Sequence, residues 1–395
     1  MNDNNTVSFN NTAIAFAGKS DSELNKAFWL FKAISQNWLV KIGPPLTKIA
    51  LMLHLPIKGL IKSTIFSHFC GGETIEDCSK TISALSHYKI GTILDYSVEG
   101  EKNEAAFDEC FHETLATIAR AKGDPNIPFC VFKVTGLARF GLLEKLNNSS
   151  SLTTEEESEY NKVKNRINAI CKAAHDASKP IFIDAEETWI QNTIDNLAYE
   201  MMALYNKEKA IVYNTIQMYR LDGYILLTEA FNKARAHQYL LGIKMVRGAY
   251  MEKERARAQK MGYSSPINPD KAVTDALYNK GIHFCVENAA HIALCAGTHN
   301  EYSSILLSEL MHKRQLSRNN QHFYFSQLLG MSDHISYNLA NAGYNVAKYV
   351  PYGPVTSVLP YLIRRANENT SISGQMGREL GLLTEERKRR KQFKN

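Results

Sequence analysis

The stretch GIKMVRGAY, residues 242–250, is apolar at Ile243, Met245 and Val246. It carries Lys244, Arg247 and Tyr250 and runs on into MEKERARAQK, a segment able to form a helix. Seven other stretches repeat that plan. GTILDYS (91–97), FCVFKVTGL (129–137), PIFIDAEE (180–187) and IVYNTIQMY (211–219) precede it, and IALCAGTHN (292–300), HFYFSQLLG (322–330) and VAKYVPYG (346–353) follow it. Continuous apolar strands alternating with helices imply a parallel sheet covered on both faces, an α/β architecture. Eight such units favour a closed (βα)8 barrel over an open doubly wound sheet. No GxGxxG follows any strand, so a Rossmann dinucleotide site has no support.

Outward from the barrel, the 395 residues are 44% hydrophobic, 10% aromatic and 22% charged, the profile of a globular protein with a substantial core. The patterning divides the chain into a helical N-terminal region over 1–88, the barrel over 89–372 and a basic C-terminal tail over 373–395. Ser20 and Glu23 form a capping-box pattern ahead of Leu24, Ala27, Phe28, Phe31, Ile34 and Trp38 at helical spacing. Pro44 and Pro45 break that helix, and Gly71-Gly72 marks the turn toward the barrel. The Ser-, Asn-, Thr- and Glu-rich stretch near 147–158 reads as a solvated loop before a helix.

Seven cysteines with no close CxxC pair support neither a disulfide framework nor a zinc site, and no metal is expected. They suit a reducing compartment. The polar start MNDNNTVSFNNT lacks a secretion signal, and IALMLHLPIKGLI is interrupted by His54, Pro56 and Lys58. A cytoplasmic protein without a spanning helix is the expectation. The formal net charge of +6 is matched by Arg387, Lys388, Arg389, Arg390, Lys391 and Lys394 alone. The rest is near neutral, a nucleic-acid partner is not implied, and a charged, frayed helix end accounts for the tail.

Barrel enzymes build their sites at the C-terminal ends of the strands. Those ends carry Glu99, Lys133, Asp184 with Glu186, Gln217, Lys244 with Arg247 and Tyr250, Thr298 with His299, Gln327 and Tyr349. One lysine in a strand is ordinarily a snorkelling residue. Polar residues interrupting nearly every run at the same end point to a site. After the eighth strand, a helix beginning near Pro354 carries Arg364 and Arg365 on the apolar segment VLPYLI. Adjacent arginines on a helix ordinarily form a solvated face; alternatively, two planar forks converging on one carboxylate make an acid-binding site.

The segments FKVTGLAR, IFIDAEETWIQ, NTIQMY, IKMVRGAYMEKERARA, AGTHN, YFSQLLGMSDHIS, AKYVPYGP and YLIRRANEN together resemble the proline dehydrogenase family over roughly residues 90–370. IAFAGKSDSELNKAFWLFKAI and STIFSHFCGGETI resemble the helical N-terminal part of its single-function members. No aldehyde dehydrogenase half follows, unlike the bifunctional members. The resemblance implies a distorted barrel that holds FAD, with the last barrel helix over the strand ends. It implies that Lys133, Arg364 and Arg365 bind the proline carboxylate, that Tyr250 and Tyr349 line the ring, and that Glu99 pairs with one arginine. Asp184, Lys244 and Tyr250 are the catalytic residues it implies. Ala185, Gln217, Lys244, Val246, Arg247, Gly248, Ala249, Thr298 and His299 correspond to cofactor-contacting positions. The implied reaction is hydride transfer from L-proline to FAD, giving 1-pyrroline-5-carboxylate, with electrons passed to a quinone through peripheral contact with the inner face of a membrane. Two alternatives stay open: a hydroxyproline dehydrogenase of the same family, and a barrel lyase or aldolase using Lys133 or Lys244 as a Schiff-base amine.

Overall fold

Strands form where the apolar runs lie. In a computed structural model, which describes residues 7–36, 42–43, 57–97, 103–371 and 375–393, they are β1 Ile90–Tyr96, β2 Phe129–Phe132, β3 Ile181–Ile183, β4 Val212–Gln217, β5 Leu241–Val246, β6 Ile292–Gly297, β7 Phe323–Leu328 and β8 Val346–Tyr352. Every strand is parallel to its neighbours in chain order, and β1 closes onto β8 in register from Ile90↔Val346 to Tyr96↔Tyr352. The expected (βα)8 barrel is therefore the fold.

Successive strand side chains face opposite sides. Ile93, Phe129, Val131, Phe182, Tyr213, Ala293, Cys295, Ala347 and Tyr349 form one buried cluster. Their neighbours Leu94, Cys130, Ile183, Ile243, Met245, Leu294, Phe325 and Val350 belong to the larger core shared with the helices. Phe129 stacks on Phe182 with ring centroids 4.4 Å apart, and Tyr213 and Tyr324 meet Phe129 edge-on. Aromatic rings thus fill the lumen.

The helix expected from Ser20 and Glu23 runs over Asp21–Ile34 with its capping box formed. Leu24, Ala27, Phe31 and Ile34 are buried in a second core with Phe66, Phe69, Val358, Tyr361, Leu362, Leu382 and Leu383. The N-terminal region therefore packs on the helix that follows β8, Leu359–Ser371, and on the C-terminal helix Gln375–Gln392. Trp38, the Pro44-Pro45 break and Glu99 lie outside the described residues.

Two readings change. The stretch near 147–158 is only partly loop, because helix Thr154–Asp176 starts inside it. Thr153 and Glu156 form a second capping box, and Glu155, Glu156 and Glu157 fill the first turn, where the helix dipole favours anions. The basic tail is also not a frayed end. The Arg387 guanidinium lies 3.9 Å from the centre of the Phe28 ring. Arg390 donates to the carbonyls of Phe16 (2.8 Å) and Lys19 (2.7 Å), to Asp21 (3.0 Å) and to the fully buried Glu386. Two of the six tail cations, Arg387 and Arg390, are spent tying the two ends of the chain together. Among the described residues no helix is long and apolar enough to cross a membrane, and all seven cysteines are buried free thiols.

Behind β8 sits a buried ion cluster. Lys348, which faces the helices, pairs with Asp333 at 2.7 Å and donates to the Met331 carbonyl, also at 2.7 Å. Lys19 reaches the other oxygen of Asp333 at 2.9 Å. Burial alone would raise the Asp333 carboxyl, but the two ammonium groups outweigh it and hold the group well below the carboxylate range. A depressed carboxyl stabilises the fold above its unfolded pKa and loses that contribution as the pH falls. Asp333→Asn leaves the fully buried Lys348 without its counter-ion and is expected to lower the unfolding free energy at pH 7 by about 3–5 kcal/mol. In urea titrations the gap from wild type should close as the pH drops below about 4.

Candidate active site

Three inward-facing side chains meet at the C-terminal mouth of the barrel. Asp184 follows β3, Lys244 lies in β5 and Tyr349 in β8. The Lys244 ammonium donates to the Asp184 carboxylate and, at 2.5 Å, to the Tyr349 hydroxyl. That hydroxyl also lies 3.4 Å from the same carboxylate oxygen. Lys244 Nζ is 4.6 Å from the centre of the Tyr349 ring and 5.3 Å from that of Phe182, so aromatic faces share the ammonium's charge. Burial, reinforced by Asp184, pushes the Tyr349 phenol well above its ordinary pKa. The hydroxyl stays protonated.

Asp95, on the inward side of β1, is a residue that the sequence reading passed over. Ser97 donates to it at 2.7 Å. Burial raises its carboxyl, Lys133 opposes that, and Asp184 adds to it. The signal was available: Asp95 interrupts the run ILDYS at the same end as the other polar residues.

Lys133 leaves β2 and enters the short 3-10 turn Val134–Gly136. Thr135, in that turn, holds the buried Glu186 carboxylate with its N–H at 3.0 Å and its hydroxyl at 2.5 Å. Burial pushes Glu186 up to about 7, against the pull of Thr135 and of Lys133. Glu186 is further fixed by its backbone, accepting from Gln217 at 2.8 Å and donating to Gln191 at 2.7 Å. Gln217 thus ties the end of β4 to the neighbouring loop that carries Ala185. Tyr250 stands at the start of helix Met251–Met261; burial raises its phenol, with Lys133, Glu186 and Arg364 all acting on it.

The two arginines part company as neighbours on a helix must. Arg364 acts on Tyr250, whereas Arg365 is 6% exposed, lies 5.1 Å from the centre of the Tyr361 ring and acts on His299. Neither is a solvated face. Tyr361 was also passed over, since an aromatic residue on an apolar helix gives no signal of its own.

A third group lies along the ends of β5 to β7. Gly248 has φ +132°, and a Cβ there would come within 2.5 Å of the Tyr219 ring. Ala185 and Val246 beside the mouth are half-buried and Ala249 is exposed. Arg247 donates to Asp275 (2.6 Å), Thr298 (2.6 Å) and Ser303 (3.0 Å), with its guanidinium 4.4 Å from the centre of the Tyr278 ring. It fastens the β5 loop to two helices. Gln327, read as a strand-end site residue, faces outward and donates to the Thr298 carbonyl at 3.0 Å while accepting from Ser336. It supports Thr298 from behind instead of entering the mouth. His299 Nδ1 lies 3.0 Å from the Ser332 hydroxyl. Burial, with the charges of Lys348 and Arg365, lowers the His299 pKa to about 3, so the ring is neutral. Among the described residues no group of three His, Cys, Asp or Glu side chains is placed to hold a metal ion.

Residues 78–378 match the family model described as proline dehydrogenase. The chain is 33% identical to proline dehydrogenase 1, mitochondrial, of Dictyostelium discoideum, over 98% of this chain and 76% of that protein. It is 41% identical to the Homo sapiens protein of the same name over 62% of this chain and 41% of that one. It is also 32% identical to the carbapenem antibiotics biosynthesis protein CarD of Pectobacterium carotovorum subsp. carotovorum, over 84% of this chain and 86% of that protein. Among solved structures, proline utilization A from Bdellovibrio bacteriovorus, inactivated by N-propargylglycine, superposes with a TM-score of 0.72 at 19% identity, covering 92% of this chain and 38% of that one. The chain spans little more than a third of that structure's length, and at such identity the likeness is one of fold. A family model covering well over half of the sequence, together with a relative matched along nearly all of it, makes the chain a member of the proline dehydrogenase family.

Proposed function

We propose that this chain is an FAD-dependent proline dehydrogenase that oxidises L-proline to 1-pyrroline-5-carboxylate. The observation that carries the reading is the Asp184–Lys244–Tyr349 contact in the mouth, with Lys133 and Arg364 near Tyr250 and Arg365 near His299. Three cations from two elements suit a small carboxylate ligand.

The residues along β4 to β6 fit a flavin dinucleotide. Gly248 keeps its backbone bare at a left-handed φ where a side chain would strike Tyr219. Ala185, Val246 and Ala249 leave small surfaces for a flat ring, and Gln217, Lys244, Arg247, Thr298 and His299 supply polar groups for its edge and diphosphate. When bound, FAD would supply the acceptor for the hydride leaving the proline carbon next to nitrogen.

The chain's own part is orientation and field. Clamping the carboxylate at Lys133, Arg364 and Arg365 fixes the ring in one pose, which is catalysis by positioning. Tyr250 and Tyr349 wall the ring. The same cations disfavour a protonated proline nitrogen, as hydride loss requires. Asp184 and Tyr349 hold Lys244 in place, and both engage the nitrogen that a Schiff-base reading would need free. A quinone would then receive the electrons at a membrane surface on the cytoplasmic side. For that contact we propose the outer face of the C-terminal helix, where Lys388, Lys391 and Phe393 are exposed.

The purified protein should be yellow, and denaturation should release a supernatant with FAD fluorescence; a colourless protein that cannot be reconstituted with FAD would remove the cofactor reading. Arg365→Met deletes a charge-assisted bond of about 1.5–3 kcal/mol, so KM for L-proline should rise about tenfold or more with flavin content unchanged. Loss of flavin at constant KM would assign the arginine to the cofactor instead. Wild type should prefer L-proline to trans-4-hydroxy-L-proline by about tenfold in kcat/KM, because a buried hydroxyl without a partner costs about 1–3 kcal/mol. Tyr349→Ser should narrow that ratio. Equal turnover of both substrates by wild type would favour the hydroxyproline reading.

A further inference from the structure

Ser332 is the N-cap of helix Asp333–Asn341, a position where serine ordinarily turns its hydroxyl back onto the helix. Here it makes no such bond. Its hydroxyl lies against His299 Nδ1 at 3.0 Å instead, and its backbone is left-handed, φ +51°. A non-glycine residue holds that conformation only where its surroundings impose it. The Ser332 N–H donates to Glu379 Oε1 at 3.0 Å, and Glu379 is buried on the C-terminal helix. The Ser332 carbonyl accepts from the Ile335 and Ser336 N–H groups at 3.0 and 3.2 Å. One carboxylate from the far end of the chain therefore sets the backbone whose hydroxyl meets His299.

Glu379 is not simply a further partner of the Lys19–Asp333–Lys348 cluster. Each of those ammonium groups binds Asp333 directly; Glu379 is near enough for its charge to act on both, but its Oε1 accepts from the Ser332 N–H. The adjacent Arg378 turns the other way, to Glu301 at 2.8 Å, and Glu301 in turn meets His334 at 3.1 Å. The bond to Ser332 is thus a connection distinct from the ion pairs around it.

We infer that Glu379 is a positioning residue for the cofactor: through Ser332 it fixes the His299 ring, and so makes the C-terminal helix part of the cofactor-holding apparatus. The inference rests on the reading of His299 as an FAD contact. The appropriate measurement is the rate of FAD release after dilution of the holoenzyme, followed by flavin fluorescence, with the melting temperature recorded alongside. Glu379→Ala and Ser332→Gly should each release FAD at least tenfold faster than wild type. The double variant should be no faster than either alone, since both cut one connection. Glu379→Gln, which keeps an oxygen to accept the Ser332 N–H, should stay within about threefold of wild type. Lys19→Met disturbs Asp333 without touching Ser332 or His299; it should lower the melting temperature and leave release unchanged.

Wild-type release from Ser332→Gly, or effects of Ser332→Gly and Glu379→Ala that multiply, would overturn the inference while leaving the proposed function standing. Should Glu379→Ala not fold, Ser332→Gly against Glu379→Gln still decides: equal release from the two sinks the connection. A wild-type protein that binds no FAD would instead defeat the reading on which this rests.

Discussion

The pairing of Lys348 with Asp333 ties together parts of the chain that are remote in sequence. A fully buried ammonium cannot be left without an anion, and the anion it uses sits in the first turn of a helix that must therefore lie against β8. Lys19 binds the same carboxylate and so draws in the N-terminal segment. On the next residue of β8 the chain turns Tyr349 to the other face, into the barrel, where Lys244 and Asp184 wait. Strand alternation puts a structural ion pair and a candidate chemical one back to back, one residue apart. Displacement of β8 by one residue would exchange them, placing a lysine in the lumen and a tyrosine among the helices. That exchange would leave Asp333 buried without its partner, so the register of the last strand is strongly held.

The barrel was plain in the sequence because strands buried on both faces read as unbroken apolar runs, and eight of them precede helices. The strand ends where candidate site residues should lie were also legible, since polar interruptions collect at one end. What a run cannot reveal is which of its residues faces inward. Gln327 and Lys244 look alike as polar interruptions, yet one supports Thr298 from behind and the other meets Asp184 in the mouth. Asp95 was missed for the converse reason, being a single carboxylate in an otherwise apolar run. The tail read as solvated charge because Arg390 bonds the carbonyls of Phe16 and Lys19, groups that every residue possesses and no composition marks. The Thr153–Glu156 capping box was present in the sequence, but the polar residues around it spoke for a loop.

Within the site, burial does different work on similar groups. Glu186, which meets a backbone N–H and a hydroxyl of Thr135, is pushed up to about 7 by burial. His299 is kept neutral by burial, with the surrounding cations adding to it.

The second core joins Leu24 and Phe31, near the start of the chain, to Leu382 and Leu383, near its end. During synthesis the N-terminal helix emerges first and its natural partners last. At about 5–20 residues per second, its apolar face waits on the order of tens of seconds before it can be covered, through the making of the entire barrel. The helix Leu359–Ser371, which carries Arg364 and Arg365, shares that core and waits with it. Assembly of this core is therefore not vectorial: it is completed only once the segment carrying Leu382 and Leu383 has been made and can meet the N-terminal helix.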